Sequence, residues 1–138
     1  GPVELARPDE PGGANDVEPI TLVSLASVAD LGWRGGAEDL DPGRFRMTFE
    51  LDGCAPYEED GWDGREVRIG AVRLAVAGKV PRCVVTTLDP ATGVRDFPTL
   101  SVIKQVRGTM DGKSLPFGMY ARVLEAGEVR VGDRVEVV

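Results

Sequence analysis

The feature that most constrains this chain is the shortness of its apolar runs. Valine-rich segments such as Ile20-Thr21-Leu22-Val23, Val67-Arg68-Ile69, Val72 to Ala77 and Cys83 to Leu88 never run far before a glycine, a proline or a charge interrupts them. β-branched residues favour a pleated, half-buried backbone, and glycine and proline punctuate the turns between such segments. With 18 glycines and 10 prolines in 138 residues, the pattern predicts many short strands joined by tight turns, not a helical bundle. This length suits one domain with one real core.

Three further strands and two helices fill out the pattern. Arg44 to Leu51 alternates, with Phe45, Met47, Phe49 and Leu51 on one face, and reads as a half-buried strand that sets Arg44 and Arg46 on the other face. Gly118 to Leu124 and Arg134 to Val138 read as strands, and Val131-Gly132-Asp133-Arg134 between them as a turn. Two short helices are expected. One runs through Val28-Ala29-Asp30-Leu31, capped by Ser27 and ended by Gly32, Gly35 and Gly36. The other opens at Pro98-Thr99-Leu100 and runs through Arg107, with Leu100, Ile103 and Val106 on one face. The fold class is therefore mainly β, barrel-like, with a few short helices. Residues 1 to 18, rich in proline, glycine and acids, read as an arm or linker with a short strand at Val3 to Ala6. Residues 19 to 138 read as the domain, either of a reduced protein or of a longer one whose C-terminal part it forms.

Charge and composition exclude several functions. A formal net charge of −7 repels phosphate backbones and anionic membranes, so neither nucleic acid nor membrane is an expected partner. No apolar run reaches transmembrane length and no signal-peptide pattern opens the chain, so a cytoplasmic location is the expectation. The absence of histidine removes Ser-His-Asp triads, Cys-His dyads and histidine-based zinc sites. Chemistry here falls to a thiolate, carboxylates, arginine, lysine, hydroxyls or a cofactor.

Cysteine is the residue type with most reach. Cys83 follows Pro81-Arg82 at the start of an expected strand. A thiolate beside a guanidinium is a nucleophile and a ligand for soft metals, but a cysteine in such a place also serves as a small buried hydrophobe. Cys54, in Asp52-Gly53-Cys54-Ala55-Pro56, reads as a packed loop thiol. Glu58-Glu59-Asp60 with Asp63 fits no calcium loop and reads as a solvated acidic loop. Arg44 and Arg46 on one strand face are either a clamp for phosphate or carboxylate, or ordinary surface charge.

Four stretches in order resemble the molybdenum cofactor sulfurase C-terminal (MOSC) family, in the branch that includes the amidoxime-reducing components. They are Arg44-Phe45-Arg46; Gly53-Cys54 with Tyr57, Glu59 and Trp62; Pro81-Arg82-Cys83 through Thr86-Thr87, Asp89-Pro90 and Thr92-Gly93; and Leu115 to Tyr120 followed by Val131-Gly132-Asp133. The third is the most specific. The resemblance implies a barrel-like β fold and a molybdenum cofactor (Mo-pyranopterin). It makes Cys83 the metal ligand and the catalytic centre, with Arg46, Arg82, Thr48 and Arg44 as cofactor contacts. At family level it also carries pyridoxal phosphate binding. It implies reduction of N-hydroxylated or N-oxide small-molecule substrates, with electrons from a donor protein. The alternative is a non-catalytic module of the same fold that carries cofactor or sulfur, or binds a partner. Three departures stand out: Met47 and Thr48 where the branch carries proline and asparagine, Val17-Glu18 where it carries hydroxyls, and no N-terminal region of the kind that larger members use to complete the cofactor site.

Overall fold

Leu22 and Val23 are neighbours in the chain and are both fully buried, yet they belong to two different cores. That alternation, period two along a strand, organises the protein. The computed structural model describes residues 3–8 and 20–138. Among them are seven strands: β1 (Val3–Pro8), β2 (Ile20–Ser24), β3 (Phe49–Asp52), β4 (Glu66–Ile69), β5 (Val72–Pro81), β6 (Pro116–Glu125) and β7 (Arg134–Val137). They close into a barrel in the order β1-β3-β2-β6-β5-β4-β7. All neighbours are antiparallel except β2 and β3. Closure leaves no free sheet edge, which disposes of the aggregation risk that short valine-rich strands carry.

The first core fills the barrel with Leu5, Leu22, Phe49, Leu51, Ile69, Leu74 and Met119 among others. The second lies outside it, where Val23, Phe45, Met47 and Phe117 pack against two helices, α1 (Leu25–Arg34) and α2 (Thr99–Arg107), through Val28, Leu31, Val102 and Ile103. On β6, Phe117 belongs to the outer core and Met119 to the inner one, although residues two apart should share a face. A bulge explains the switch. The register runs Lys79↔Met119 and then Pro81↔Pro116, so β6 holds an extra residue there. Gly118 takes φ 87 at that point. An extra residue with positive φ rotates the next part of the strand to the other face.

Several sequence expectations move. The expected strand Arg44–Leu51 splits into a 3-10 turn at Pro42–Phe45, a left-handed Arg46 (φ 51) and the short β3. Asp41 drives the split: its carboxylate accepts the Gly43 N–H at 2.8 Å, a local bond that competes with strand pairing. The expected strand Cys83–Leu88 is a 3-10 turn, Val84–Thr87. The cap of α1 is Ser24, whose Oγ accepts the Ala26 N–H at 3.1 Å, and the helix runs past Gly32 to Arg34. The helix expected at Pro98–Arg107 is present as α2. The short strand expected at Val3–Ala6 is β1, which pairs with both β3 and β7 and so belongs to the barrel, upstream of the expected boundary at residue 19. The arm expected between β1 and β2, with Val17-Glu18, lies outside the described residues. No helix among the described residues is long and apolar enough to cross a membrane.

The acidic loop is not solvated as expected. Glu59 is 1% exposed and anchors a second 3-10 turn, Glu58–Trp62, to α1. Its carboxylate accepts the Ser24 N–H at 2.8 Å and the Ser27 hydroxyl at 2.9 Å, which is why Ser27 is not a cap. Asp60 pairs with Arg107, whose guanidinium lies 4.5 Å from the centre of the Tyr57 ring. Tyr57 donates its hydroxyl to Asp30 at 2.9 Å. Trp62 reaches the barrel core. The Gly53-to-Trp62 stretch is thus a built staple between barrel, α1 and α2.

Candidate functional site

The site forms where β5 ends. Pro81 is the last paired residue of the strand, and the Arg82 N–H donates to the Leu115 carbonyl at 2.9 Å, one step beyond the ladder. Cys83 comes next in extended geometry (φ −122, ψ 178) and leads into the Val84–Thr87 turn. The Cys83 carbonyl accepts the Thr86 N–H at 3.1 Å and the Thr86 hydroxyl at 2.8 Å. The Cys83 side chain is exposed, as a ligand or nucleophile requires and a packed core thiol would not be. Cys54 is buried, and burial pushes its thiol up to about 12, with the Glu58 and Glu59 charges adding to the effect.

The loop before β3 faces this turn. Arg44, Phe45, Arg46, Pro81, Arg82, Cys83, Val85 and Thr86 line one cleft of about 250 Å³. Four of the five residues expected at the site, Cys83, Arg82, Arg46 and Arg44, therefore meet, though not as a strand-face pair of arginines. Arg46 is exposed on the left-handed corner. Arg82 donates through Nη2 to the Phe45 carbonyl and stacks 5.4 Å from the Phe45 ring centre. Burial holds its guanidinium below the usual arginine range, while the nearby Cys83 acts in the opposite sense. Met47, at the departure from proline, lies 3.8 Å from Arg82 Nη1 through its sulfur and packs against Gly118.

Arg44 is 4% exposed and turned inward. It grips Asp96 with two parallel bonds, Nη1 to Oδ1 at 3.0 Å and Nη2 to Oδ2 at 3.1 Å, and Nη1 also reaches the Thr86 carbonyl at 3.2 Å. Its hydrogen bonds hold the Asp96 carboxyl below the usual range. Thr48 is not among the residues lining the cleft. Its N–H donates to Thr21 Oγ1 at 2.9 Å and its Oγ1 accepts the Thr21 N–H at 3.1 Å, a reciprocal clasp between β2 and the lead-in to β3.

Asp96 was invisible as a site residue in the sequence, because its partner lies 52 positions away. The signal that could have found it is the turn before it. Asp89 caps Ala91 N–H at 2.8 Å, Gly93 takes φ 74, and Leu88 bridges Arg95, so the Asp89-to-Gly93 hairpin returns the chain beneath Thr86. Thr99 then donates its hydroxyl to the Thr86 carbonyl at 2.6 Å.

This geometry coincides with a family match. The MOSC domain family matches residues 9–136 of the chain. The chain belongs to the MOSC domain family. The MOSC domain here is 39% identical over 127 residues to mitochondrial amidoxime reducing component 2 of Rattus norvegicus, covering 87% of this chain and 37% of the relative. It is 35% identical over 139 residues to mitochondrial amidoxime-reducing component 1 of Homo sapiens, covering 96% and 40%. The chain therefore spans about two fifths of the length of these relatives. Among solved structures, YiiM from Geobacillus stearothermophilus superimposes with a TM-score of 0.65 at 18% identity, over 99% of this chain and 75% of that one. YuaD from Bacillus subtilis gives 0.59 at 17%, over 86% and 62%. Both share the fold of this MOSC domain.

The donor set bears on what the cleft holds. Among the described residues no cluster of three or more cysteine, aspartate or glutamate side chains stands ready to enclose a metal ion. A single exposed thiol suits a metal that arrives with most of its ligands. The Nε atoms of Arg44 and Arg82 are buried and have no hydrogen-bond partner among the described residues, and both arginines line the cleft that holds the thiol. Such donors fit an anionic group.

Proposed function

We propose that this MOSC domain binds molybdenum cofactor with Cys83 as the protein's ligand to the metal, and that it reduces N-hydroxylated substrates of the amidoxime class. The observation that carries the reading is the exposed Cys83 in one cleft with Arg82, Arg46 and Arg44. Homology to the amidoxime-reducing components supports the substrate class. The bound cofactor supplies two-electron redox chemistry at a metal already held by sulfur. The chain's own residues do the rest. The Cys83 thiolate supplies one ligand. Arg46, on its exposed corner, and Arg82, on the cleft wall, offer donors to the cofactor's phosphate and oxygen groups. Arg44, fully occupied on its two terminal nitrogens, acts from behind the turn instead of as a first contact. Electrons come from outside this domain, whose two isolated cysteines hold no iron–sulfur cluster.

The test is expression in a host that makes the cofactor, then elemental analysis for molybdenum and an assay of benzamidoxime reduction with an artificial electron donor. The expected result is molybdenum at close to one equivalent, lost together with reductase activity in Cys83→Ser. Folded protein without molybdenum would overturn the reading.

A further inference from the structure

The turn that carries Cys83 is held by groups with no part in the proposed chemistry. A four-residue 3-10 turn has only i→i+3 bonds of poor geometry and frays readily on its own. Here Cys83, Val84 and Val85 are exposed, so packing does not fix them. Hydrogen bonds do. Thr86 donates twice to the Cys83 carbonyl, and the Thr86 carbonyl receives Thr99 Oγ1 at 2.6 Å and Arg44 Nη1 at 3.2 Å. Arg44 is itself locked by Asp96. Thr99 is fully buried and does not line the cleft, and Thr86 is 2% exposed with its hydroxyl hydrogen committed to Cys83.

We infer that Thr86 and Thr99 are positioning residues for the Cys83 sulfur: their hydroxyls, backed by the Arg44–Asp96 pair, hold the turn in the conformation that keeps the sulfur in the cleft lined by Arg46 and Arg82. The Thr99 hydroxyl lies outside the cleft, and both hydroxyls act through the carbonyls of Thr86 and Cys83. The inference rests on Cys83 being the reactive sulfur of the site, and adds what fixes its place.

The test uses the full chain without cofactor. Cys83 is alkylated with iodoacetate and, separately, with iodoacetamide, and the rates are measured by peptide mass spectrometry. The anionic reagent senses the guanidinium groups of the cleft and the neutral one does not, so the rate ratio reports whether the sulfur stays in that cleft. Thr86→Val and Thr99→Val remove a hydroxyl without changing charge or much shape; Thr86→Ser and Thr99→Ser keep it. The expected result is an iodoacetate-to-iodoacetamide ratio about threefold lower or less in the valine variants and restored in the serine variants. Cys54 should stay unlabelled throughout, as the internal sign that the barrel is folded. Should Thr99→Val expose Cys54, Thr86→Val decides. Ratios equal to wild type in the folded valine variants, or equally depressed in the serine variants, overturn the inference. Failure to load molybdenum leaves these rates untouched, so the two proposals fail separately.

Discussion

Arg44 and Asp96 meet in two parallel hydrogen bonds at 3.0 and 3.1 Å, although 52 residues of chain separate them. The clasp ties the loop before β3 to the hairpin after the Cys83 turn, and Arg44 also holds the Thr86 carbonyl of that turn. A planar guanidinium makes this fork and a lysine ammonium does not. Arg44→Lys should therefore lower stability to urea by on the order of 1–2 kcal/mol although charge is kept. An unchanged midpoint would show that the clasp holds nothing.

Glu59 and Asp96 should give opposite pH dependences. Burial raises the Glu59 carboxyl above its ordinary 4.5, so its folded form prefers the proton. Its contribution is most favourable below 4.5 and is lost as pH rises through the raised value. Hydrogen bonds from Arg44 lower Asp96 below 3.8, so its contribution is present above 3.8 and is lost as pH falls through the lower value. Denaturation of wild type, Glu59→Gln and Asp96→Asn across acid to neutral pH checks both signs. The glutamine variant should gain on wild type as pH rises, and the asparagine variant should close its deficit as pH falls. Glu59→Ala should cost about 2–3 kcal/mol near neutrality, because it strands the Ser24 N–H and the Ser27 hydroxyl in the interior.

The two cysteines should label in strict order. Cys54 is 8% exposed with its thiol pushed up to about 12, whereas Cys83 is open to solvent. Native protein should take one iodoacetamide, at Cys83, and denatured protein two. Labelling of Cys54 at a comparable rate in the native state would contradict the packing of the Gly53-to-Trp62 staple.

Gly118 should resist substitution for two separable reasons. Its φ of 87 strains any L side chain, and a Cβ there would overlap Met47 Cε. Gly118→Ala should cost about 2–4 kcal/mol. Combining it with Met47→Ala removes the overlap and leaves the strain, so the double variant should be more stable than the sum of the two single losses predicts. Simple additivity would show that Met47 and Gly118 are not in contact.

Much of the fold was legible in local chemistry. The short valine runs at β2, β4 and β5, the span of α2, and the Asp89-to-Gly93 turn all form close to where the sequence places them, because propensity and turn chemistry act over a few residues; on α2 the buried face carries Val102 with Ile103, where Leu100 was expected. The readings that moved are those in which a distant group outcompeted a local pattern, or a nearby cap broke it. The alternation from Arg44 to Leu51 looked like a strand, yet the Asp41 cap bends its first half into a turn. Ser27 looked like a cap, yet Glu59 claims its hydroxyl from 32 residues away. Glu59 itself looked solvated because nothing nearby in sequence announces a buried acceptor.

At the site the division is similar. The Arg82-to-Gly93 stretch by itself pointed to Cys83 and to a family, since those residues are contiguous. Only the tertiary structure opened Cys83 to solvent, set Arg46 and Arg82 around it, turned Arg44 inward to Asp96 and gave Thr48 to Thr21. Sequence determines which side chains are available and which turns form locally. Strand pairing determines which of them meet, because a hydrogen bond spanning 52 residues exists only after β2 and β6 have brought β3 and β5 to the same side of the sheet.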